Sequence, residues 1–233
     1  MTVPAPTEPW PVRVGFFLVV GLAAACSGGT QTALTPADRA VHLAVDGCGA
    51  SSDTSGSGFV FDDGLVLTTA HLVIRSGGVE VTYRDGSRAA AEVFAIDTFR
   101  DLAALTVPII DVDRPLIGRA QVGDSGQVVG GSTSGTVDLV VRQYASLSIE
   151  EVLGAERSSR RGYEIEAPTA DGDSGAGVYD QEGRLLGMVF AVTAGGGSTW
   201  VTAGEEIDQF VAQIDRSRRP YVCDPDTSRV VSQ

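Results

Sequence analysis

Short apolar runs separated by turn residues follow one another along most of this chain. Runs rich in Val, Ile, Leu, Thr and Tyr alternate with clusters of Gly, Asp and Ser, and no helical period is sustained before residue 202. Short runs bounded by turn residues are typical of β-strands. The pattern predicts an all-β domain with its strands on both sides of a connection at residues 111–124. The expected strands are residues 41–45, 58–61, 65–68, 79–83, 89–96, 102–107, 127–129, 137–149, 163–167, 177–179, 185–192 and 199–201.

One helix is expected near the end of the chain, at residues 203–216. Thr202 and Glu205 have the spacing of a capping box, in which each side chain accepts a hydrogen bond from the other residue's backbone N–H. Apolar residues then recur with helical period from Ile207 to Ile214. We expect this apolar stripe to pack against the strands and to take no part in chemistry.

Three separated segments carry the residue types of a hydrolytic Ser-His-Asp triad. His71 follows the apolar run 65–68, Asp101 precedes another apolar run, and Ser174 lies in the sequence Gly-Asp-Ser-Gly. A serine hydroxyl is a poor nucleophile, so an imidazole must accept its proton and a carboxylate must orient the imidazole. The N–H groups of Gly172 and Ser174 would form an oxyanion hole, at about 3 kcal/mol per donor.

Each member of this triad has a structural alternative. Taken alone, His71 could be a core histidine, whereas His42 lies in an alternating run and is expected to be structural. Asp97 competes with Asp101, and the apolar run directly after Asp101 favours Asp101. The Gly-Asp-Ser-Gly segment could be a glycine-rich turn. The occurrence of all three segments in one chain favours the triad.

These segments resemble those of trypsin-like serine proteases of the HtrA type. Residues 57–71, 101–105 and 172–178 follow one another in the order found in that superfamily. The resemblance is strongest to the membrane-anchored, extracytoplasmic serine proteases of actinobacteria, of the mycobacterial acid-resistance protease type. It extends over residues 41–223 and implies a serine endopeptidase that acts through an acyl-enzyme.

The resemblance implies two six-stranded antiparallel β-barrels of the chymotrypsin type, followed by the C-terminal helix. Residues 41–110 would form the first barrel and residues 120–202 the second. His71 and Asp101 would face Ser174 across the cleft between the barrels. Residues 224–233 are expected to be a tail, and the residues after the helix are too few for the PDZ domain of HtrA proteins.

The resemblance also implies the position of the substrate pocket. Pro168, six positions before the predicted nucleophile, would form its base, and Phe190, Ala191 and Val192 would form one wall. None of these residues is acidic. We therefore expect cleavage after a small or medium apolar residue and not after Arg or Lys.

Two departures from the family pattern bear on the function. Ala176 stands in a Gly-Ala-Gly sequence where these proteases usually have Gly-Gly-Pro, so a catalytically silent, peptide-binding scaffold is the alternative function. Asp173 stands where HtrA proteins commonly have Asn. A buried carboxylate needs a partner, and we expect Arg142 to supply it; solvent exposure of Asp173 is the alternative.

The N-terminal segment indicates export. After Arg13, the apolar run 14–25 has the length of a signal-peptide core and is short for a spanning helix. Small residues directly before Cys26 resemble a lipobox, in which that cysteine is lipidated. Residues 1–25 would then be a signal peptide and residues 26–40 a tether; an ordinary secreted protein or an uncleaved anchor is the alternative.

The remaining cysteines, Cys48 and Cys223, form an even pair in an oxidising compartment. The resemblance implies a disulfide between them that would join the two ends of the domain. Two separate buried thiols are the alternative.

Composition limits the partners of the protein. Thirty acidic residues against seventeen basic ones give a net charge of −13, which excludes nucleic acid and anionic lipid surfaces as ligands. The one basic cluster, residues 157–161, is expected to be an exposed loop, with an autolysis site as the alternative. We expect a protein or peptide substrate, no metal or cofactor, and membrane contact through a lipid anchor.

Overall fold

The computed structural model describes residues 34–108, 112–131, 135–154, 156–192 and 198–232. The expected signal peptide, Cys26 and most of the expected tether lie outside these residues. Within the described ranges, no helix is long and apolar enough to cross a membrane.

Fourteen strands and three short helices make up the described part of the chain. The helices are α1 (Pro36–Arg39), α2 (Ala70–Val73) and α3 (Gly204–Gln213). The strands are β1 (Ala40–Gly47), β2 (Thr54–Asp62), β3 (Leu65–Thr68), β4 (Ser76–Thr82), β5 (Arg88–Asp97), β6 (Leu102–Thr106), β7 (Ser125–Val129), β8 (Thr136–Glu150), β9 (Arg157–Glu166), β10 (Gly177–Asp180), β11 (Leu185–Val192), β12 (Thr199–Ala203), β13 (Val222–Asp224) and β14 (Arg229–Val231).

The first twelve strands form two closed, six-stranded barrels. The first barrel has the order β1-β2-β3-β6-β5-β4 and closes where β4 pairs with β1. The second has the order β10-β11-β12-β9-β8-β7 and closes where β10 pairs with β7. Neighbouring strands are antiparallel throughout both barrels. The predicted fold is therefore confirmed.

A cluster of buried apolar side chains joins the two barrels. Phe59 and Leu67 of the first barrel pack in one cluster with Tyr179 and Leu185 of the second and with Ile207 of α3. Burial of each large apolar side chain stabilises the fold by roughly 1.5–3 kcal/mol. This shared core holds the barrels together and so sets the positions of the loops that meet between them.

The capping box expected at Thr202 is wrong. Helix α3 begins at Gly204 with Ala203 as its N-cap, and no side chain caps it. Thr202 is a buried residue of β12, paired with Met188 on one side and Gly162 on the other. Because strand pairing continues to the first residue before the helix, Thr202 cannot take the cap position.

The expected tail is instead a hairpin. Strands β13 and β14 pair with each other, and Cys223 forms a disulfide with Cys48. Val230 is buried in the core of the first barrel, and its N–H donates to the carbonyl of Ile74 at 2.9 Å. Since Ile74 directly follows α2, this hairpin supports the helix that carries His71.

The fold also begins earlier than the expected boundary at residue 41. Helix α1 occupies the end of the expected tether, and Arg39 is buried. Its guanidinium donates to the carbonyls of Val60 at 3.1 Å and Asp113 at 2.6 Å. These bonds fix the start of the domain between β2 and the connection that leads to the second barrel.

Candidate active site

The structure brings His71 and Asp101 into direct contact. His71 lies in α2, and Asp101 lies in the turn before β6. The His71 ring Nδ1 is 2.8 Å from Asp101 Oδ2, and the His71 backbone N–H donates to Asp101 Oδ1 at 2.9 Å. Asp101 has a left-handed backbone, with φ of 54°, which Asp tolerates better than most residues. With Nδ1 held by the carboxylate, Nε2 is the ring nitrogen left to act as a base.

Asp97, the competing carboxylate, has a different partner. It accepts from the backbone N–H of Arg100 at 2.8 Å and forms an ion pair with the guanidinium of the same residue at 2.5 Å. Arg100 in turn contacts Glu206 of α3 at 2.9 Å. Asp97 thus joins the loop before β6 to the second barrel, while Asp101 contacts the imidazole.

Ser174 reaches the same region from the second barrel. A Cβ placed on Gly56 would lie 2.7 Å from the side chain of Leu72 and 3.2 Å from the Ser174 carbonyl oxygen. The serine loop therefore lies beside α2, and a glycine at position 56 permits this approach. In the described part of the chain, no hydrogen bond within 3.5 Å joins the Ser174 hydroxyl to His71. The His71 Nε2 is instead 3.4 Å from the Thr69 hydroxyl. Catalytic hydrogen bonds often shorten only when substrate binds.

Ser57 of β2 holds the serine loop in place. Its hydroxyl accepts from the N–H of Gly131 at 3.2 Å and donates to the carbonyl of Gly172 at 2.9 Å. Its own N–H donates to the carbonyl of Ser174 at 2.9 Å. A Cβ on Gly175, where φ is 90°, would lie 1.9 Å from the carbonyl oxygen of Ser57. The first barrel therefore clamps the loop on both sides of Ser174.

The N–H groups of Gly172 and Ser174, the residues predicted for the oxyanion hole, have no protein acceptor among the described residues. The intervening N–H of Asp173 donates to Ala170 at 3.1 Å, and that of Gly175 donates to Val189 at 2.8 Å. Alternate N–H groups that are left unpaired are what stabilisation of an oxyanion requires.

Ala176 fits its position without strain. Among the described residues, positive φ occurs outside glycine only at Asp101 and Ser228. The Ala176 methyl is fully buried in the core of the second barrel, and its N–H donates to the carbonyl of Asp173 at 2.8 Å. The substitution that suggested a misformed loop is therefore accommodated by packing.

The expected contact between Asp173 and Arg142 is wrong. Arg142 is half exposed and pairs with Glu166 on the neighbouring strand β9. Asp173 is buried, with 1% of its surface exposed, and its carboxylate accepts from the N–H of Ala170 at 2.9 Å. Arg142 pairs with Glu166 across the strands at the surface, because neither charge has to lose its hydration there.

The predicted pocket residues lie on adjacent segments of the second barrel. Phe190, Ala191 and Val192 form the end of β11, where Phe190 is buried and the other two are partly exposed. Pro168 is exposed in the loop after β9. The next residue, Thr169, shares a hydrogen bond with Thr199 of β12, the strand that pairs with the end of β11.

The basic cluster at residues 157–161 is not the exposed loop that its composition suggested. It forms the start of β9, with alternating burial. Arg160 is 4% exposed; its guanidinium carbon lies 4.0 Å from the centre of the Phe190 ring, and its Nη2 lies 4.0 Å from Asp101 Oδ2. This segment contains only Arg and Ser, and without an apolar residue its sequence gave no sign of which face of the strand is buried.

No group of three or more His, Cys, Asp or Glu side chains within the described ranges could hold a metal ion. The groups that the structure brings to this site are a carboxylate, an imidazole, a hydroxyl and backbone N–H groups. Comparisons with known proteins identify the family of the chain. The family model described as a trypsin-like peptidase domain matches residues 56–188.

The chain belongs to the trypsin-like peptidase family. Serine protease Rv3671c of Mycobacterium tuberculosis is 32% identical to this trypsin-like peptidase domain over 163 residues, which cover 66% of this chain and 41% of the relative. Putative serine protease HhoB of Synechocystis is 30% identical over 148 residues, which cover 60% of this chain and 35% of the relative. The chain thus spans less than half the length of these curated relatives. Both are serine proteases and hence hydrolases.

Solved structures give the same family. The active form of the Rv3671c protease from M. tuberculosis superposes on the trypsin-like peptidase domain with a TM-score of 0.68 and 27% identity, covering 77% of this chain and 82% of that one. Its inactive form gives a TM-score of 0.64 and 28% identity, covering 77% and 90%. The HtrA-type protease AlgW with tripeptide, at 18% identity and a TM-score of 0.68 over 78% and 61% of the two chains, shares the fold.

Proposed function

We propose that the protein is a serine endopeptidase in which Ser174 is the nucleophile, His71 the general base and acid, and Asp101 the orienting carboxylate. The observation that carries this proposal is the two-point contact between Asp101 and His71, at 2.8 and 2.9 Å. A carboxylate that binds both the ring and the backbone of a histidine fixes the ring in the tautomer whose Nε2 accepts a proton.

Peptide hydrolysis would proceed in two halves. The Ser174 oxygen bonds to the scissile carbonyl carbon while its proton passes to His71 Nε2. The N–H groups of Gly172 and Ser174 stabilise the oxyanion that forms. The C–N bond then breaks, and the amine leaves with the proton from His71. Water attacks the resulting acyl-enzyme by the same route, which releases the acid and restores the Ser174 hydroxyl.

The residues predicted to line the substrate pocket favour a restricted set of side chains before the scissile bond. Pro168 and the end of β11, with Phe190, Ala191 and Val192, bring no carboxylate to the pocket. We expect a small or medium apolar side chain there and no preference for Arg or Lys. Cleavage of a peptide library, read by mass spectrometry, measures this preference directly.

Export is the second part of the proposal. Residues 1–25 would be removed as a signal peptide, Cys26 would carry a lipid, and the part of the chain from α1 to β14 would form the extracytoplasmic peptidase domain. The disulfide between Cys48 and Cys223 supports an oxidising compartment. Incorporation of labelled palmitate into the wild type and its loss in Cys26→Ala test the anchor; equal labelling of both would contradict it.

Hydrolysis of an unfolded protein substrate tests the activity. We expect turnover by the wild type and none above background by Ser174→Ala or His71→Ala, with all three chains showing the same circular dichroism. A catalytically silent scaffold would bind peptides and leave them intact, and an esterase would hydrolyse esters alone. Either result would overturn the endopeptidase.

A further inference from the structure

Arg160 is a buried cation that touches both the triad region and the pocket. It belongs to β9 of the second barrel, and 4% of it is exposed. Its guanidinium stacks on the ring of Phe190 at 4.0 Å, which is within the range of a cation–π contact. Its Nη2 lies 4.0 Å from Asp101 Oδ2, the oxygen that faces the His71 ring.

The surrounding charges make Asp101 the main counter-ion of Arg160. The acidic groups that face Arg160 are Asp97 at the end of β5, Asp101 in the turn before β6 and Glu206 in α3. Asp97 is bound by Arg100, and Glu206 is bound by both Arg100 and Arg161. Asp101 is therefore the acidic group nearest to Arg160 that no other arginine binds in the described part of the chain.

Burial works against the charge of Arg160. Desolvation lowers the pKa of Arg160, and the neighbouring carboxylates, Asp101 first, act in the opposite direction. Arginine remains charged at any pH at which the protein is folded. In the described structure, Nε of Arg160 has no hydrogen-bond partner, and the groups in contact with its guanidinium are the Asp101 carboxylate and the face of the Phe190 ring.

We propose that Arg160 is a positioning residue that holds the Asp101 carboxylate towards His71 and couples its orientation to the pocket wall at Phe190. This role rests on the proposed function of Asp101 and adds a contact from the second barrel to a carboxylate that is otherwise bound by the first. A substrate side chain that binds beside Phe190 then contacts the ring on which the Arg160 guanidinium stacks. Through that guanidinium it affects the contact between Asp101 and His71.

Nuclear magnetic resonance tests this role without requiring turnover. The chain has two histidines, so the Nδ1 proton of His71 can be assigned with His42 of β1 as the internal reference. We expect Arg160→Met to shift or broaden the His71 Nδ1 proton and to leave the His42 signals unchanged. Arg160→Lys keeps the charge but loses the planar group that stacks on Phe190. Its His71 signal should therefore lie between those of the wild type and Arg160→Met. Arg161→Met, at the neighbouring half-exposed position, is the matched control.

Kinetics provide the second readout. Arg160→Met should lower kcat roughly tenfold with little change in KM, well short of the ~10⁴-fold loss expected when the carboxylate itself is altered. Arg161→Met should behave as the wild type in both respects.

Different results would contradict the endopeptidase and the positioning role of Arg160. An inactive wild type with an altered His71 signal in Arg160→Met would overturn the endopeptidase and keep the positioning role. An active wild type, with an unchanged His71 signal and unchanged kcat in Arg160→Met, would overturn the positioning role alone. If Arg160→Met does not fold, the His71 signal of Arg160→Lys decides: a wild-type signal there overturns the stacking contribution, and a shifted one supports it.

Discussion

The hydroxyl of Ser57 in the first barrel donates a 2.9 Å hydrogen bond to the carbonyl of Gly172 in the second. The same hydroxyl accepts from Gly131 at 3.2 Å. One small side chain thus connects β2, the loop after β7 and the proposed oxyanion hole. The alignment of that hole depends on contact between the two barrels and not on the serine loop alone.

Ser57→Ala removes this connection and leaves the Gly131 N–H and the Gly172 carbonyl without a partner. We expect kcat to fall roughly tenfold to a hundredfold, below the 10²–10³-fold cost of deleting an oxyanion donor, with little change in KM. Steady-state kinetics on a peptide substrate measure the effect. Ser87→Ala, in an exposed turn, is the control and should be silent. An unchanged kcat in Ser57→Ala would show that the loop aligns itself without the first barrel.

Asp101→Asn keeps the shape of the side chain and removes its charge. The imidazolium formed during attack then loses its counter-ion and the wrong ring tautomer is favoured, so kcat should fall on the order of 10⁴-fold. Asp97→Asn is the informative control, because Asp97 binds Arg100 rather than the imidazole. Its kcat should stay within about tenfold of the wild type. The reverse ranking of the two variants would assign the triad carboxylate to Asp97.

Glu206 connects α3 to both barrels and gives a pH-dependent contribution to stability. Burial acts to raise its pKa, but hydrogen bonds from Arg161 and Arg100 outweigh burial and the pKa is lowered. The stabilisation is therefore complete above the ordinary value of 4.5 and is lost as the pH falls towards the lower folded value. Glu206→Gln should lower the free energy of unfolding by about 2 kcal/mol at pH 7, and by less near pH 3.

Urea unfolding at the two pH values measures this difference. Glu182→Gln, which removes an exposed ion pair with Arg184, is the matched control and should change stability by less than about 0.5 kcal/mol. A Glu206→Gln deficit that is equal at both pH values would attribute the effect to packing.

The disulfide between Cys48 and Cys223 closes a loop of 175 residues. In the chain-entropy model such a cross-link stabilises the fold by about 4 to 5 kcal/mol. The double variant Cys48→Ser/Cys223→Ser should therefore unfold at a much lower denaturant concentration than the wild type. Addition of dithiothreitol should bring the wild type down to the stability of the variant. Identical unfolding curves for the oxidised wild type and the double variant would show that the hairpin β13–β14 holds without the bond.

Local sequence patterns predicted the strands and the pairing of His71 with Asp101, whereas the two barrels were implied by the resemblance to trypsin-like serine proteases. The strands and the pair depend on short-range signals: alternating apolar runs, and a histidine or aspartate beside a buried strand. The helix after β12 was also found, because its apolar stripe spans consecutive turns. Its start was misplaced, since the capping-box spacing at Thr202 cannot tell whether the preceding strand is still paired.

Contacts between residues that are far apart in the sequence could not be predicted from local patterns. Arg160 is buried because β9 pairs with β8 and brings that residue against Phe190 and Asp101. No local pattern distinguishes a buried arginine in a basic cluster from a solvated one. The partner of Arg142 was missed for the same reason, because Glu166 becomes its neighbour only through the strand register.

Labelling with a fluorophosphonate probe shows whether Ser174 is the activated nucleophile. Peptide mapping of the labelled protein should place a single adduct on Ser174, and Ser174→Ala should remain unlabelled under the same conditions. His71→Ala should label far more slowly, since no base then accepts the hydroxyl proton. An adduct on another residue, or equal labelling of the wild type and Ser174→Ala, would contradict the account.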